Sequence, residues 1–280
     1  MKTRGCFDPI SALIELSTES RAELRAASSA CYFDAMGPAP LETDHQPSLA
    51  PPGLHPGFGS NTRVWLLRHA EVHEDYHGRA YGNLDVPLSA SGLADSARLA
   101  EEFGRLKFAS ILSSPLVRAK QLASGIAEHS GTDLIVDAGL AEIFRGSWQG
   151  RAVDDLPRDQ VAGFYADPWT FDEHGGETDE EVLARAWPVL AQAIEQNPGD
   201  QVMLVAHYNV IRVLVAYALG IPSSSSFAFR VDPGRANLLL DVRAERAESR
   251  TEVPQTNGWV LRHSNVRSPH EIVGLRADER

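Results

Sequence analysis

Cysteine is almost absent: Cys6 and Cys31 are the only two in 280 residues. Neither sits in a metal-type cluster, and a disulfide framework would be too sparse for a chain of this size. No apolar run approaches the length needed to span a bilayer. Asp8, Pro9 and Glu15 interrupt what would have to be the apolar region of a signal peptide. Positive charge is also short, with 26 Lys and Arg against 38 Asp and Glu, a formal net charge of -12 and a pI near 5.3. That balance argues against nucleic-acid binding, which needs a basic face. It leaves room for a local cationic pocket that takes a small anion. There are no internal repeats, and no group of carboxylates or histidines has metal-ligand spacing. The expectations are therefore a cytoplasmic protein with no membrane or nucleic-acid partner, no metal and no other cofactor.

What is present divides the chain in two. Residues 1–60 read as an N-terminal extension with a Pro/Gly-rich linker, and residues 61–280 as the main domain. Leu13, Ile14, Leu16, Leu24 and Ala27 could support a helix over 11–34, without regular enough spacing to define a face. From Gly37 to Ser60 prolines and glycines crowd together, including Pro51-Pro52-Gly53 and Pro56-Gly57, which is linker composition.

In the main domain, Val64-Trp65-Leu66-Leu67 runs into Arg68-His69. A continuous apolar run of this length reads as a strand buried on both faces. Ser89 or Ser91 can cap a helix ending near Phe103. A second strand is expected over 108–112. Ser114-Pro115 reads as a cap and first helical residue, with Arg118 in the first turn of a helix that stops near Gly131. A third strand covers 134–136, and 139–177 reads as loop. Thr178 and Glu181 form a capping box opening a helix to about Gln196, with Pro188 inside it expected to kink it. Val202–Ala206 is another apolar strand ending at a histidine, His207, and a helix follows from about Val210 to Leu219. Strands are expected over 227–231, 238–242 and 259–263. Strands alternating with helices imply an α/β fold with a mostly parallel central sheet and helices on both faces.

In open parallel sheets the chemistry lies just beyond the carboxyl ends of the strands, and two strands here end in histidine. Helix N-termini favour anions, and arginine adds a planar fork that matches phosphate oxygens. Arg68, His69, Arg118 and His207 together thus make a plausible phosphoryl pocket. The bland alternatives are a solvated helix arginine at 118 and a satisfied strand-end histidine at 207.

These segments resemble the histidine phosphatase superfamily, in its phosphoglycerate-mutase-like branch. Arg68-His69-Ala70 matches the family's Arg-His-Gly, with alanine for glycine. Ser113-Ser114-Pro115-Leu116-Val117-Arg118-Ala119 matches its Ser-Ser-Pro-Leu-x-Arg-Ala segment. Leu140-Ala141-Glu142 precedes Gly146-Ser147-Trp148-Gln149-Gly150, and His207 precedes Val210-Ile211-Arg212, both in the family's order. Leu84-Asp85-Val86-Pro87-Leu88-Ser89 resembles its Asp-x-Pro-Leu-Ser stretch. The resemblance covers about residues 62–263 and implies that His69 is the nucleophile. It further implies that Arg68, Arg118 and His207 bind phosphate and that Glu142 is the general acid and base. Arg79 and Tyr81 are candidates for the substrate side. The remaining histidines, among them His73, His77 and His174, read as surface or supporting groups. Tyr208 and Asp75 stand where many members have glycine and asparagine. Tyr208, in place of aspartate, argues against the acid phosphatase branch, and Asp75 against phosphoglycerate-type substrates.

The expected function is a metal-independent phosphomonoesterase that acts through a phosphohistidine on a small phosphorylated metabolite. α-Ribazole phosphate is a candidate, because the chain looks closest to the family's small phosphatases. The alternatives are a phosphoglycerate mutase and, from another class, a non-catalytic binding protein on the same fold. A homodimer is compatible with either enzyme. The composition of residues 1–60 predicts that a chain starting near Gly57 keeps the melting temperature and activity of the full length. Insoluble or unfolded truncated protein would mean that the extension packs on the domain.

Overall fold

In the computed structural model the described residues are 61–241 and 258–272. The helix expected over 11–34 and the linker over 37–60 lie outside them. Six strands form one sheet, β1 (Arg63–Arg68), β2 (Ser110–Ser113), β3 (Leu134–Val136), β4 (Gln201–Ala206), β5 (Ala236–Asp241) and β6 (Trp259–Val266). Their order across the sheet is β3-β2-β4-β1-β5-β6. The first four in that order are parallel to their neighbours, while β5 and β6 add antiparallel pairs at one side.

β1 is buried on both faces because its side chains alternate between two cores. Val64 and Leu66 join one cluster with Val202, Leu204 and residues of helices α4 (Asp179–Gln196) and α5 (Tyr208–Leu219). Trp65 and Leu67 join the other, with Met203, Val205 and residues of α1 (Ala90–Phe103) and α2 (Val117–Ser130). A strand that serves two cores needs apolar residues at every position, which is why its sequence shows no polar alternation. Helices therefore cover both faces, as the sequence implies.

The helix signals are mostly honoured. Ser89 Oγ accepts from the Gly92 N–H at 2.9 Å and caps α1, and Thr178 and Glu181 close their capping box on α4. Helix α4 continues through Pro188 to Gln196. Three expectations need correction. The helix after Ser114-Pro115 begins two residues later, at Val117, with Leu116 in the cap position and Ser114 Oγ accepting from the Leu116 N–H. Asp85 takes over the capping from a distant loop, its Oδ1 accepting from the Val117 N–H at 2.7 Å. The stretch 139–177 contains a short helix, α3 (Arg158–Ala166), whose signal is weakened by Gly163 and by its length of nine residues. Residues 227–231 form no strand: Ser223–Ala228 is a 3-10 turn.

That turn belongs to a buried polar joint. Arg212 on α5 and Asp179 at the start of α4 are both fully buried. They bond through two contacts, Nη1 to Oδ2 at 2.7 Å and Nη2 to Oδ1 at 2.6 Å. Ser223 Oγ donates to Asp179, Ser226 Oγ accepts from Arg212 Nη1, and Phe227 lies 4.2 Å under the guanidinium. Removing one partner strands a buried charge. Arg212→Met is therefore expected to cost about 3–5 kcal/mol of stability in denaturant unfolding. Replacing both partners with apolar residues should recover much of it, and a single-variant loss below about 1 kcal/mol would contradict this account.

Candidate active site

The parallel register of β1 and β4 pairs Arg68 with Ala206, so the next residues, His69 and His207, leave the sheet side by side. The His69 N–H donates to the Ala206 carbonyl at 3.1 Å, and the two imidazole centroids lie 5.1 Å apart. Both rings are buried, 1% and 0% exposed. Burial, then the Arg118 and Arg68 charges, holds His69 well below its ordinary pKa of 6.5. Burial, Arg118, His69 and Arg68 do the same to His207. Both are neutral imidazoles at pH 7.

A carbonyl can only accept, so the 2.7 Å contact of His69 Nδ1 with the Ala70 carbonyl places the ring proton on Nδ1. Nε2 is left with its lone pair. Arg118 Nε faces that atom at 3.3 Å. The guanidinium cannot turn away, because its Nη1 donates to the Leu84 carbonyl at 2.6 Å and its Nη2 to the Gly82 carbonyl at 2.8 Å. Arg68 Nη1 donates to the Val231 carbonyl at 2.7 Å, while its Nε is buried without a partner among the described residues. Two rings lie against these cations: Tyr81 5.2 Å from Arg118 Cζ and Tyr208 5.4 Å from Arg68 Cζ.

Glu142 is 6% exposed and tied to two backbone donors. Its Oε1 accepts from the Ile143 N–H at 2.9 Å and its Oε2 from the Asn209 N–H at 3.3 Å. The second bond fastens it to the first turn of α5, where His207 is the capping residue. The structure therefore gathers Arg68, His69, Arg118, Glu142 and His207 at the ends of β1 and β4 and the starts of α2 and α5. Tyr81 joins them against Arg118. Arg79 stays exposed, with Nε on the Asp75 carbonyl and Nη1 on the Gly150 carbonyl, holding two loops together. Asp75 is on an exposed turn with its carboxylate 3.4 Å from His73. Among the described residues no three His, Cys, Asp or Glu side chains converge as a metal set.

Sequence reasoning missed three groups. Ser114 is fully buried, its Oγ 2.7 Å from His207 Nε2 while accepting from the Leu116 N–H. His174, read as surface or supporting, is buried against Trp148, with ring centroids 4.7 Å apart. Arg145 lies inside the segment from Glu142 to Gly146 and went unremarked. Its signal was a lone arginine between apolar Phe144 and Gly146. Gly146 is required there, since it has a φ of 51° and a Cβ would overlap the His174 carbonyl.

A family model described as histidine phosphatase superfamily (branch 1) matches residues 64–251. A protein of Enterobacter sp. (strain 638) named "Probable phosphoglycerate mutase" is 31% identical over 203 residues, covering 71% of this chain and 90% of its own. The adenosylcobalamin/alpha-ribazole phosphatase of Escherichia coli (strain K12) is 28% identical over 177 residues, 61% of this chain and 86% of its own. Among solved structures, mycobacterial glucosyl-3-phosphoglycerate phosphatase in complex with VO3 superposes with a TM-score of 0.58 at 31% identity. It covers 63% of this chain and 92% of its own.

The buried neutral histidines fix a pH dependence. In the unfolded chain each regains a pKa of about 6.5, while in the fold His69 and His207 are held well below this and His174 is brought to about 4 by burial and Arg145. Below about pH 6.5 the unfolded state binds more protons, so this contribution to stability is complete above that pH and is lost as pH falls. The melting temperature should decline between pH 6.5 and 4, and His174→Gln should shrink that decline. A decline of the same size in the variant would contradict the assignment of His174.

Proposed function

The chain belongs to the histidine phosphatase superfamily, and from that premise we propose a metal-independent phosphomonoesterase acting through a phosphohistidine on His69. The observation that carries this reading is the state of His69: neutral, with its proton fixed on Nδ1 and its Nε2 lone pair beside a pinned arginine. A histidine can attack phosphorus only with such a lone pair. In the first step Nε2 bonds to phosphorus, the ester P–O bond breaks, and Glu142 gives a proton to the departing alkoxide. In the second, water attacks the phosphorus, Glu142 takes the water's proton, the N–P bond breaks and inorganic phosphate leaves. Arg68 and Arg118 supply the positive charge that the equatorial oxygens need, and phosphoryl catalysis consists largely of that. Arg118 Nε, which faces His69 Nε2 in the free protein, is placed to move onto a phosphate oxygen. If Ser114 donates to His207 Nε2, the proton of His207 lies on Nδ1, which is buried without a partner among the described residues and available to phosphate.

The substrate is a small phosphorylated metabolite. Relatives named for α-ribazole and for glucosyl-3-phosphoglycerate make esters of both kinds candidates. The setting is the cytoplasm, and the chemistry requires no second copy of the chain. A mutase reading is favoured by the relative named for phosphoglycerate mutase. It differs in the fate of the phosphoryl group, which would pass to another hydroxyl rather than to water.

Hydrolysis of p-nitrophenyl phosphate and alkyl phosphates is expected in EDTA without added metal, with inhibition by vanadate. Activity abolished by EDTA and restored by a divalent ion would exclude the mechanism, and transfer to glycerate in place of phosphate release would favour the mutase.

The proton from Glu142 matters most when the leaving alkoxide is basic. Glu142→Gln should slow single-turnover phosphorylation by an alkyl phosphate on the order of 10²–10⁴-fold, and by p-nitrophenyl phosphate far less. Equal losses for the two would remove Glu142 from the role.

A further inference from the structure

His69 and His207 are chemically identical, both neutral and both buried, yet phosphoryl transfer gives them opposite tasks. His69 must offer a lone pair to phosphorus, and His207 must offer a proton to a phosphate oxygen. For His69 the Ala70 carbonyl makes the choice, holding the proton on Nδ1. Among the described residues no carbonyl does this for His207. Its Nε2 meets the Ser114 hydroxyl at 2.7 Å, and its Nδ1 is buried without a partner among those residues. A hydroxyl can donate or accept, so that contact alone does not select the tautomer.

The surroundings of Ser114 select it. Strands β2 and β4 pair in a register that sets Ser113 against Val205, and the Ser114 N–H donates to the Val205 carbonyl at 3.1 Å. Ser114 thus leaves β2 beside the end of β4, where His207 follows. Its carbonyl accepts from Ser113 Oγ at 2.9 Å, and its side chain is fully buried. Its Oγ already accepts from the Leu116 N–H at 3.2 Å. The hydroxyl proton still needs an acceptor, and among the described residues His207 Nε2 is the one it meets.

The opposite arrangement fails on two counts. With the proton on Nε2, the serine oxygen would face two donors and bury its own proton without an acceptor, which is costly. A bare Nδ1 lone pair would then meet incoming phosphate oxygens, acceptor against acceptor.

We propose that Ser114 is a positioning residue for the transfer: by donating to Nε2 it fixes the His207 proton on Nδ1. This makes His207 a donor to phosphate and leaves His69 as the nucleophile of the pair. Ser114 acts only through the imidazole. The proposal rests on the phosphatase reading above and adds the device that separates the two histidines.

The test has two arms. In the first, the full-length protein labelled with ¹⁵N-histidine is read by NMR at neutral pH, with the His207 signals assigned by their loss in His207→Ala. A protonated Nδ1 and an unprotonated Nε2 are expected on His207, and a proton on Nε2 overturns the proposal. In the second, vanadate affinity is measured by titration. Ser114→Ala should weaken it by about ten- to a hundredfold, the scale of one hydrogen bond to a charged group. In the His207→Ala background the same substitution should change affinity by less than about twofold. A merely structural role would weaken binding equally in both backgrounds. That equal loss, or an unchanged affinity in Ser114→Ala, overturns the assignment. If Ser114→Ala does not fold, the first arm on the unmodified protein still decides. Hydrolysis of esters with the proton on Nε2 would strike Ser114 alone. Failure to hydrolyse any ester would strike the phosphatase reading, and with it the purpose given to Ser114.

Discussion

The site depends on one constraint, the parallel pairing of β1 with β4. Arg68 lies opposite Ala206, and the chain must therefore place His69 and His207 next to each other as it leaves the sheet. A slip of one residue would turn every side chain of β1 to the opposite core, with Val64 and Leu66 exchanging places with Trp65 and Leu67. The two cores thus protect the register, and the register holds the two imidazoles 5.1 Å apart. No flexible loop has to be ordered to bring them together.

Burial then decides the chemistry. An exposed histidine would be partly protonated near neutral pH, whereas His69 and His207 are kept neutral, first by loss of solvent and then by guanidinium charge. The same arginines that suppress the imidazolium form are suited to receive a phosphate dianion. Arg118 illustrates the preorganisation: two backbone carbonyls hold its terminal nitrogens and leave Nε facing the reactive atom. Stability is given up for this, since buried nitrogens of Arg68, Arg145, His174 and His207 have no hydrogen-bond partner among the described residues. Elsewhere a buried charge is matched, as where the Arg212 terminal nitrogens bond both Asp179 oxygens.

Much of the fold was legible because it rests on local signals. Apolar runs marked β1 and β4, Ser89 marked α1, and the Thr178–Glu181 box marked α4. The Arg-His pair, the Ser-Pro-Leu-x-Arg segment, the second strand-end histidine and the Leu-x-Glu segment located five residues that the structure gathers. What stayed hidden depends on contacts distant in sequence. Ser114 reads as a cap, but burial beside His207 commits its hydroxyl to the imidazole, and Asp85 caps α2 across 32 residues. His174 looks like a loop histidine until Trp148, Phe164 and Phe171 close around it. Arg145 shows in the sequence only as one more charge, and the burial of its Nη1 without a partner among the described residues is a three-dimensional fact.

The central claim is that Nε2 of His69 carries the phosphoryl group during turnover. The most direct measurement is an alkaline quench during steady-state hydrolysis, followed by mass-spectrometric mapping and ³¹P NMR of the trapped protein. The account predicts an acid-labile, alkali-stable phosphoryl group on His69, bonded at Nε2 because the Ala70 carbonyl holds the proton on Nδ1. Phosphate on a serine, on an aspartate or on Nδ1 of the same ring would contradict it.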